Sequence, residues 1–188
     1  MKTIAFITSN KGKVAEASAR LAPLGYMVVQ KNLGYPEIQA DSLQEVAWFG
    51  IDYVRTRLRT TFFLEDSGLF IASLAGFPGV YSKYVYQTIG LQGVLRLLET
   101  KPDRSAVFRS VIAYAQPGQD PEVFVGECVG TIAKDARGTG GFGYDPIFIP
   151  QGWTKTFAEV SPQEKNTVSH RGKALDLLVH KLTEVLSP

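Results

Sequence analysis

A short apolar strand, an amphipathic helix and a second strand follow one another at the start of the chain. That order constrains the fold more than any other feature. Thr3-Ile4-Ala5-Phe6-Ile7 is a run with β-branched residues, closed by Ser9-Asn10-Lys11, and it reads as a buried strand. Residues 13–24 then place Val14, Ala17, Leu21 and Leu24 on one side of a helix, with Gly25 as its stop. Residues 26–29 form the next strand. A strand–helix–strand opening implies an α/β layered fold.

The pattern continues downstream. Residues 32–41 hold Gly34, Pro36 and Asp41 and read as a loop. Ser42-Leu43-Gln44-Glu45 has capping-box spacing, with Asp41 or Ser42 as the cap, for a helix over 43–59. Residues 60–64 predict a strand that ends at Glu65-Asp66-Ser67-Gly68. Residues 74–90, with four glycines and prolines among three tyrosines, read as irregular, and 91–99 as a short helix. Residues 106–115 and 122–133 predict two long strands joined by Pro117-Gly118-Gln119-Asp120-Pro121. Glycines crowd residues 138–143, residues 162–166 suit one turn, and 171–186 reads as a closing amphipathic helix. The length of 188 residues suits one domain or two closely joined lobes, the smaller one around 106–133.

Composition excludes several function classes. The net charge of +2 argues against a large nucleic-acid footprint, which usually clusters Lys and Arg on one face. Cys128 is the only cysteine, so neither an internal disulfide nor a Cys-rich metal site is possible, and a reducing compartment is favoured. The N-terminal apolar run is too short for a signal core, and no stretch reaches the run of about 18 apolar residues that a membrane span needs. A cytoplasmic protein is expected.

Four segments carry chemistry. Thr8-Ser9-Asn10-Lys11-Gly12-Lys13 lies between a strand and a helix, where free backbone N–H groups and the helix dipole suit phosphate. Its glycine spacing is not that of a Walker A loop, and a capped turn with solvent-facing lysines reads equally well. Asp66, at the expected carboxyl end of a strand, and Glu37 in the preceding loop suit a hard cation such as Mg²⁺. Gly140-Gly141-Phe142-Gly143-Tyr144-Asp145-Pro146 offers close backbone approach, a ring for stacking and a carboxylate; a tight turn with packed aromatics is the plainer reading. Lys165-Asn166-Thr167-Val168-Ser169-His170-Arg171 is the densest cationic cluster. Cations at a helix start oppose its dipole, which hints at a purpose beyond a solvated basic turn.

Taken in order, these segments resemble the inosine triphosphate pyrophosphatase family, the non-canonical purine nucleoside triphosphate pyrophosphatases. Glu65-Asp66-Ser67-Gly68-Leu69, Gly76-Phe77-Pro78-Gly79-Val80-Tyr81-Ser82 and Gly141-Phe142-Gly143-Tyr144-Asp145-Pro146-Ile147-Phe148 carry the resemblance together with the first and last segments, across nearly the whole chain. It implies an elongated mixed α/β sheet with flanking helices, two lobes around a central active-site cleft, and usually a homodimer. It implies hydrolysis of ITP, dITP and XTP to the monophosphate and pyrophosphate. By position, Thr8, Ser9, Asn10, Lys11, Gly12 and Lys13 match the triphosphate loop. Asp66 matches the catalytic acid, and Glu37 with Asp66 the Mg²⁺ carboxylates. Ser67 and Lys83 fall near the phosphates, while Phe142, Gly143, Tyr144, Asp145, Lys165, His170 and Arg171 match the base pocket. Donors from His170 and Arg171 would pair with the C6 oxo group.

One departure stands out. Many relatives carry a lysine in the helix after the Glu37 loop, whereas Glu45-Val46-Ala47-Trp48-Phe49-Gly50-Ile51-Asp52 has none. Two rival readings remain open: a related pyrophosphatase of the septum-inhibition type that favours modified pyrimidines, and a nucleotide-sensing or nucleic-acid-binding module without catalysis. Phe142-Gly143-Tyr144-Asp145 argues against the first, and the near-neutral charge with Glu37 and Asp66 against the second.

Overall fold

The computed structural model describes residues 2–36 and 38–184. Its strands are β1 (Lys2–Ile7), β2 (Tyr26–Lys31), β3 (Phe62–Ile71), β4 (Ser105–Ala115), β5 (Glu122–Ile132) and β6 (Phe148–Pro150). Its helices are α1 (Lys11–Leu21), α2 (Leu43–Arg55), α3 (Ser82–Thr88), α4 (Gly90–Leu97), α5 (Pro162–Val168) and α6 (His170–Glu184), joined by short 3₁₀ turns. The strands form one mixed sheet in the order β2-β1-β3-β4-β5-β6. β1 runs parallel to β2 and β3, and β5 antiparallel to β6. This is the expected α/β fold. Among the described residues, no helix is long and apolar enough to cross a membrane.

Two compact units divide the chain: Met1–Asp66 with Ser110–Gly126 and Arg171–Pro188, and Ser67–Arg109 with Glu127–His170. Strands β3, β4 and β5 each pass from one unit to the other. In the first unit, Ala17 and Leu21 of α1 and Ala174, Leu175 and Leu178 of α6 pack with Phe6 and Phe63. The helical spacing of those residues therefore does bury one face of each helix. In the second unit, Leu69, Val94, Phe108, Ile147, Phe148 and Phe157 anchor a separate core.

The structure departs from the expected elements in informative places. β3 does not stop at Leu64 but continues through Ile71. Ser67-Gly68 looks like a turn, yet Gly68 serves a close backbone approach: a Cβ there would stand 2.3 Å from the Gly79 carbonyl oxygen. Residues 82–88, expected to be irregular, form α3. The Ser82 hydroxyl donates to the Gly79 carbonyl at 2.7 Å and accepts from the Leu69 N–H at 2.8 Å, which fixes the helix start. The turn expected at 162–166 is a full helix, α5, with Pro162 at its first position and a Ser161/Glu164 capping box. The α2 cap is Ser42, paired with Glu45 as expected, but the helix ends at Arg55. α6 begins at His170, and its expected end at Leu186 lies outside the described residues.

Candidate functional site

The first unit holds the 8–13 turn. Asn10 caps α1, its Oδ1 accepting from the Lys13 N–H at 3.1 Å, and its own N–H donates to Thr8 Oγ1 at 3.1 Å. Gln30 Nε2 donates to the Thr8 carbonyl at 3.0 Å. Ser9 and Lys11 are exposed, while Gly12 lies half-buried in the first helical turn. Lys13 is not a solvent-facing lysine. Its Nζ lies 2.7 Å from Glu65 Oε2 and donates to the Glu65 carbonyl at 3.2 Å.

Glu65 is the centre of a buried ionic group. Arg171 Nε lies 3.2 Å from Glu65 Oε1, and Arg171 Nη1 lies 2.6 Å from Glu16 Oε2. Ser110 Oγ donates to Glu65 Oε1 at 2.6 Å. Burial opposes charge on Glu65, but Arg171, Lys13 and the Ser110 hydroxyl outweigh it and hold the carboxyl well below the usual carboxylate range. Asp66, the next residue, is half-buried. Successive residues of a strand point to opposite faces, so Asp66 shares its face with Leu64. α2 packs on that face: a Cβ on Gly50 would lie 3.0 Å from Leu64 Cδ2. α2 contains no lysine, so the departure noted in the sequence falls on the helix that covers the Asp66 face. Glu37 lies outside the described residues.

The second unit holds the aromatic-glycine turn. Asp145 Oδ2 accepts from the Phe142 N–H at 2.8 Å and from Lys165 Nζ at 2.7 Å. Both side chains of that ion pair are only 4% exposed. Lys165 Nζ also sits 4.7 Å from the centroid of the Phe142 ring. Gly141 and Gly143 both have left-handed φ, at 69° and 61°. Tyr144 is buried, and its hydroxyl donates to the Ser82 carbonyl at 2.8 Å. Burial, helped by the neighbouring Tyr86, pushes that hydroxyl above the ordinary phenol range. His170 lies flat on Phe108, with ring centroids 4.5 Å apart and planes 9° from parallel. Ser67 is half-buried in β3, and Lys83 is exposed in the first turn of α3.

The structure thus gathers Lys13, Arg171 and the neighbour of Asp66 in one unit, and Phe142, Asp145 and Lys165 in the other. The segment from Lys165 to Arg171 is no solvated basic turn: Lys165, Ser169, His170 and Arg171 are all buried. Sequence reasoning missed Glu65, Glu16 and Ser110 as partners of the cations. A usable signal was present, since two adjacent acids on a continuous strand must face opposite ways. It was hidden by ending the strand too early.

A family model described as the Ham1 family matches residues 4–181. The chain is 53% identical over 183 residues to a dITP/XTP pyrophosphatase of Thermococcus kodakarensis, covering 97% of this chain and 98% of that one. It is 55% identical over 172 residues to a dITP/XTP pyrophosphatase of Pyrococcus horikoshii, with 92% of each covered. Among solved structures it is similar to a HAM1 protein from Coxiella burnetii, with TM-score 0.86, 35% identity and coverage of 98% and 100%. It is also similar to the Staphylococcus aureus Ham1 protein, with TM-score 0.85, 30% identity and coverage of 97% and 99%.

Proposed function

The chain belongs to the Ham1 family, and from that membership we propose that it hydrolyses non-canonical purine nucleoside triphosphates, ITP, dITP and XTP, to the monophosphate and pyrophosphate. The observation that carries the chemistry is the contrast between two adjacent carboxylates. Glu65 is buried and neutralised by Lys13 and Arg171, while Asp66 is half-buried on the opposite face of β3. Asp66 is the carboxylate we assign to acid–base and metal work.

A Mg²⁺ ion takes one or two carboxylates and completes its shell with water and phosphate oxygens. Among the described residues, no cluster of three or more His, Cys, Asp and Glu could hold a metal. Asp66, joined by Glu37, is a donor set that fits an ion shared with substrate phosphates. When bound, Mg²⁺ supplies positive charge at those oxygens. Asp66 takes the proton of the water whose oxygen attacks the α-phosphorus, and the bond to the bridging oxygen breaks to release pyrophosphate. Lys13 and Lys83 balance the leaving charge, and the α1 turn with Thr8, Ser9, Asn10, Lys11 and Gly12 offers N–H and hydroxyl donors to phosphate. Phosphoryl-type transfer is mostly positioning and electrostatics, so this set suffices in kind.

Base selection falls to Phe142, Gly143, Tyr144, Asp145, Lys165 and His170. The Phe142 ring supplies a stacking surface, and the His170 edge, fixed by its stack on Phe108, donates to the C6 oxo group. Adenine would bring its amino donor against that donor, leaving both unpaired. Arg171, whose guanidinium is engaged by Glu16 and Glu65, enters through those contacts. We also expect a cytoplasmic homodimer. Pyrophosphate release from ITP, XTP, dITP, GTP, ATP and TTP, with and without Mg²⁺, tests the reading. Metal-dependent turnover of ITP, XTP and dITP is expected, and equal rates on ITP and ATP would defeat it.

A further inference from the structure

Beside Asp66 stands a carboxylate that the reaction above does not use. Glu65, Lys13, Arg171 and Glu16 form two cations and two anions within one unit, with side-chain exposures of 1%, 16%, 2% and 11%. Their charges cancel among themselves, so the group is closed rather than an open anion trap. Its geometry is directed at Lys13. An ammonium has three N–H donors. Glu65 engages it twice, through an ion pair with its carboxylate at 2.7 Å and a hydrogen bond to its carbonyl at 3.2 Å. The Glu65 carbonyl belongs to the peptide that leads into Asp66. The ammonium is thereby held beside that peptide.

We infer that Glu65 is a positioning residue for the triphosphate: it holds the Lys13 ammonium at one place next to Asp66, and Arg171 holds Glu65. The inference rests on the reading of Asp66 given above. A lysine stem is flexible, and Asn10 fixes only the helix start from which it emerges. Without the Glu65 acceptors the ammonium would sample several positions, and a misplacement of about 1 Å costs about 10²-fold in rate. Arg171 reaches Glu16 through Nη1 and Glu65 through Nε. That fork needs a guanidinium; an ammonium at the same place is a single point charge. Arg171 therefore acts on the phosphate end through Glu65.

The experiment measures kcat and KM for ITP in wild type, Glu65→Gln, Arg171→Lys, Lys13→Met and the Glu65→Gln/Lys13→Met double variant. Glu65→Gln should lower kcat about 10²-fold with little change in KM. In the Lys13→Met background the same change should cost little further, because its effect runs through Lys13. Arg171→Lys should lower kcat for ITP, because it loosens Glu65. Full kcat in Glu65→Gln, losses that simply multiply in the double variant, or full kcat in Arg171→Lys would each overturn the inference. If Glu65→Gln does not fold, Ser110→Ala removes one hydrogen bond from Glu65 and keeps every charge. It should lower kcat several-fold in wild type and not in Lys13→Met, and unchanged kcat would sink the idea. Failure of wild type to release pyrophosphate from ITP would refute the reading of Asp66 itself. Wild-type turnover with an indifferent Glu65→Gln would refute the positioning role alone.

Discussion

Gly141 and Gly143 sit two residues apart in one turn, both with left-handed φ, and alanine should separate them sharply. At Gly143 the added methyl meets nothing within 4 Å, so the cost is the left-handed backbone alone, about 1–2 kcal/mol. At Gly141 the same methyl would lie 2.0 Å from Asp145 Oδ2 and 2.8 Å from its carboxyl carbon. That oxygen accepts both from Lys165 Nζ and from the Phe142 N–H. Gly141→Ala must therefore drive the carboxylate away and break its buried ion pair with Lys165. Breaking a buried pair in this way costs about 3–5 kcal/mol, in addition to the backbone cost. The expected difference between the two variants is then about 3 kcal/mol or more, a large share of a typical domain's stability of about 5–15 kcal/mol. Urea denaturation followed by tryptophan fluorescence and circular dichroism measures both variants. Equal losses at the two positions would show that Asp145 gives way freely, and the argument for a rigid Asp145–Lys165 pair would be refuted.

Other perturbations test the remaining links. Asp66→Asn should keep stability within about 1 kcal/mol, since the side chain is half-exposed, and lower kcat by about 10²–10⁴-fold; near-normal pyrophosphate release would remove Asp66 from its role. Gly68→Ala places a methyl 2.3 Å from the Gly79 carbonyl, a backbone atom that cannot swing aside, and should cost about 1–3 kcal/mol in the urea midpoint; unchanged stability would contradict the close approach. Tyr144→Phe should cost about 1 kcal/mol near neutral pH by removing the hydrogen bond that its hydroxyl donates to the Ser82 carbonyl. Because the folded phenol is raised, its stabilisation is full below the ordinary tyrosine value of about 10 and fades as the pH rises through the folded value. Wild type should therefore lose stability on the alkaline side, and Tyr144→Phe should lose less, as denaturation at about pH 8 and about pH 10.5 will show.

Much of the fold was legible because its periodicities are local. The opening strand and helix, the β4–β5 hairpin and the Ser42 cap follow from runs, spacing and capping chemistry. What escaped were features fixed by distant partners. Ser67-Gly68 reads as a turn until the Gly79 carbonyl is seen pressing on Gly68. α3 begins where it does because Ser82 is bonded to Gly79 and Leu69. β6 is only three residues, bounded by prolines, and its pairing with Gly130–Ile132 is what makes it a strand. The candidate residues were legible by type and order, but their partners were not. Lys13 and Arg171 look like free cations in the sequence. Only the fold shows that α1, β3 and α6 bring them to one buried carboxylate.

That carboxylate and its neighbour explain why two acids stand together on β3. A strand sends Glu65 and Asp66 to opposite faces. The Glu65 face carries Phe63, α1 and α6, and there a bare carboxylate could not persist without Lys13 and Arg171. The Asp66 face carries α2, which brings no lysine. The two positions thus differ in environment although they share a backbone: one acid is buried and compensated by Lys13 and Arg171, the other is half-buried. Exchanging their roles would require moving the cations across the sheet, so the pair is directional. Because the compensated acid also grips Lys13, that fixed charge and the Asp66 carboxylate are held in register by a single peptide bond.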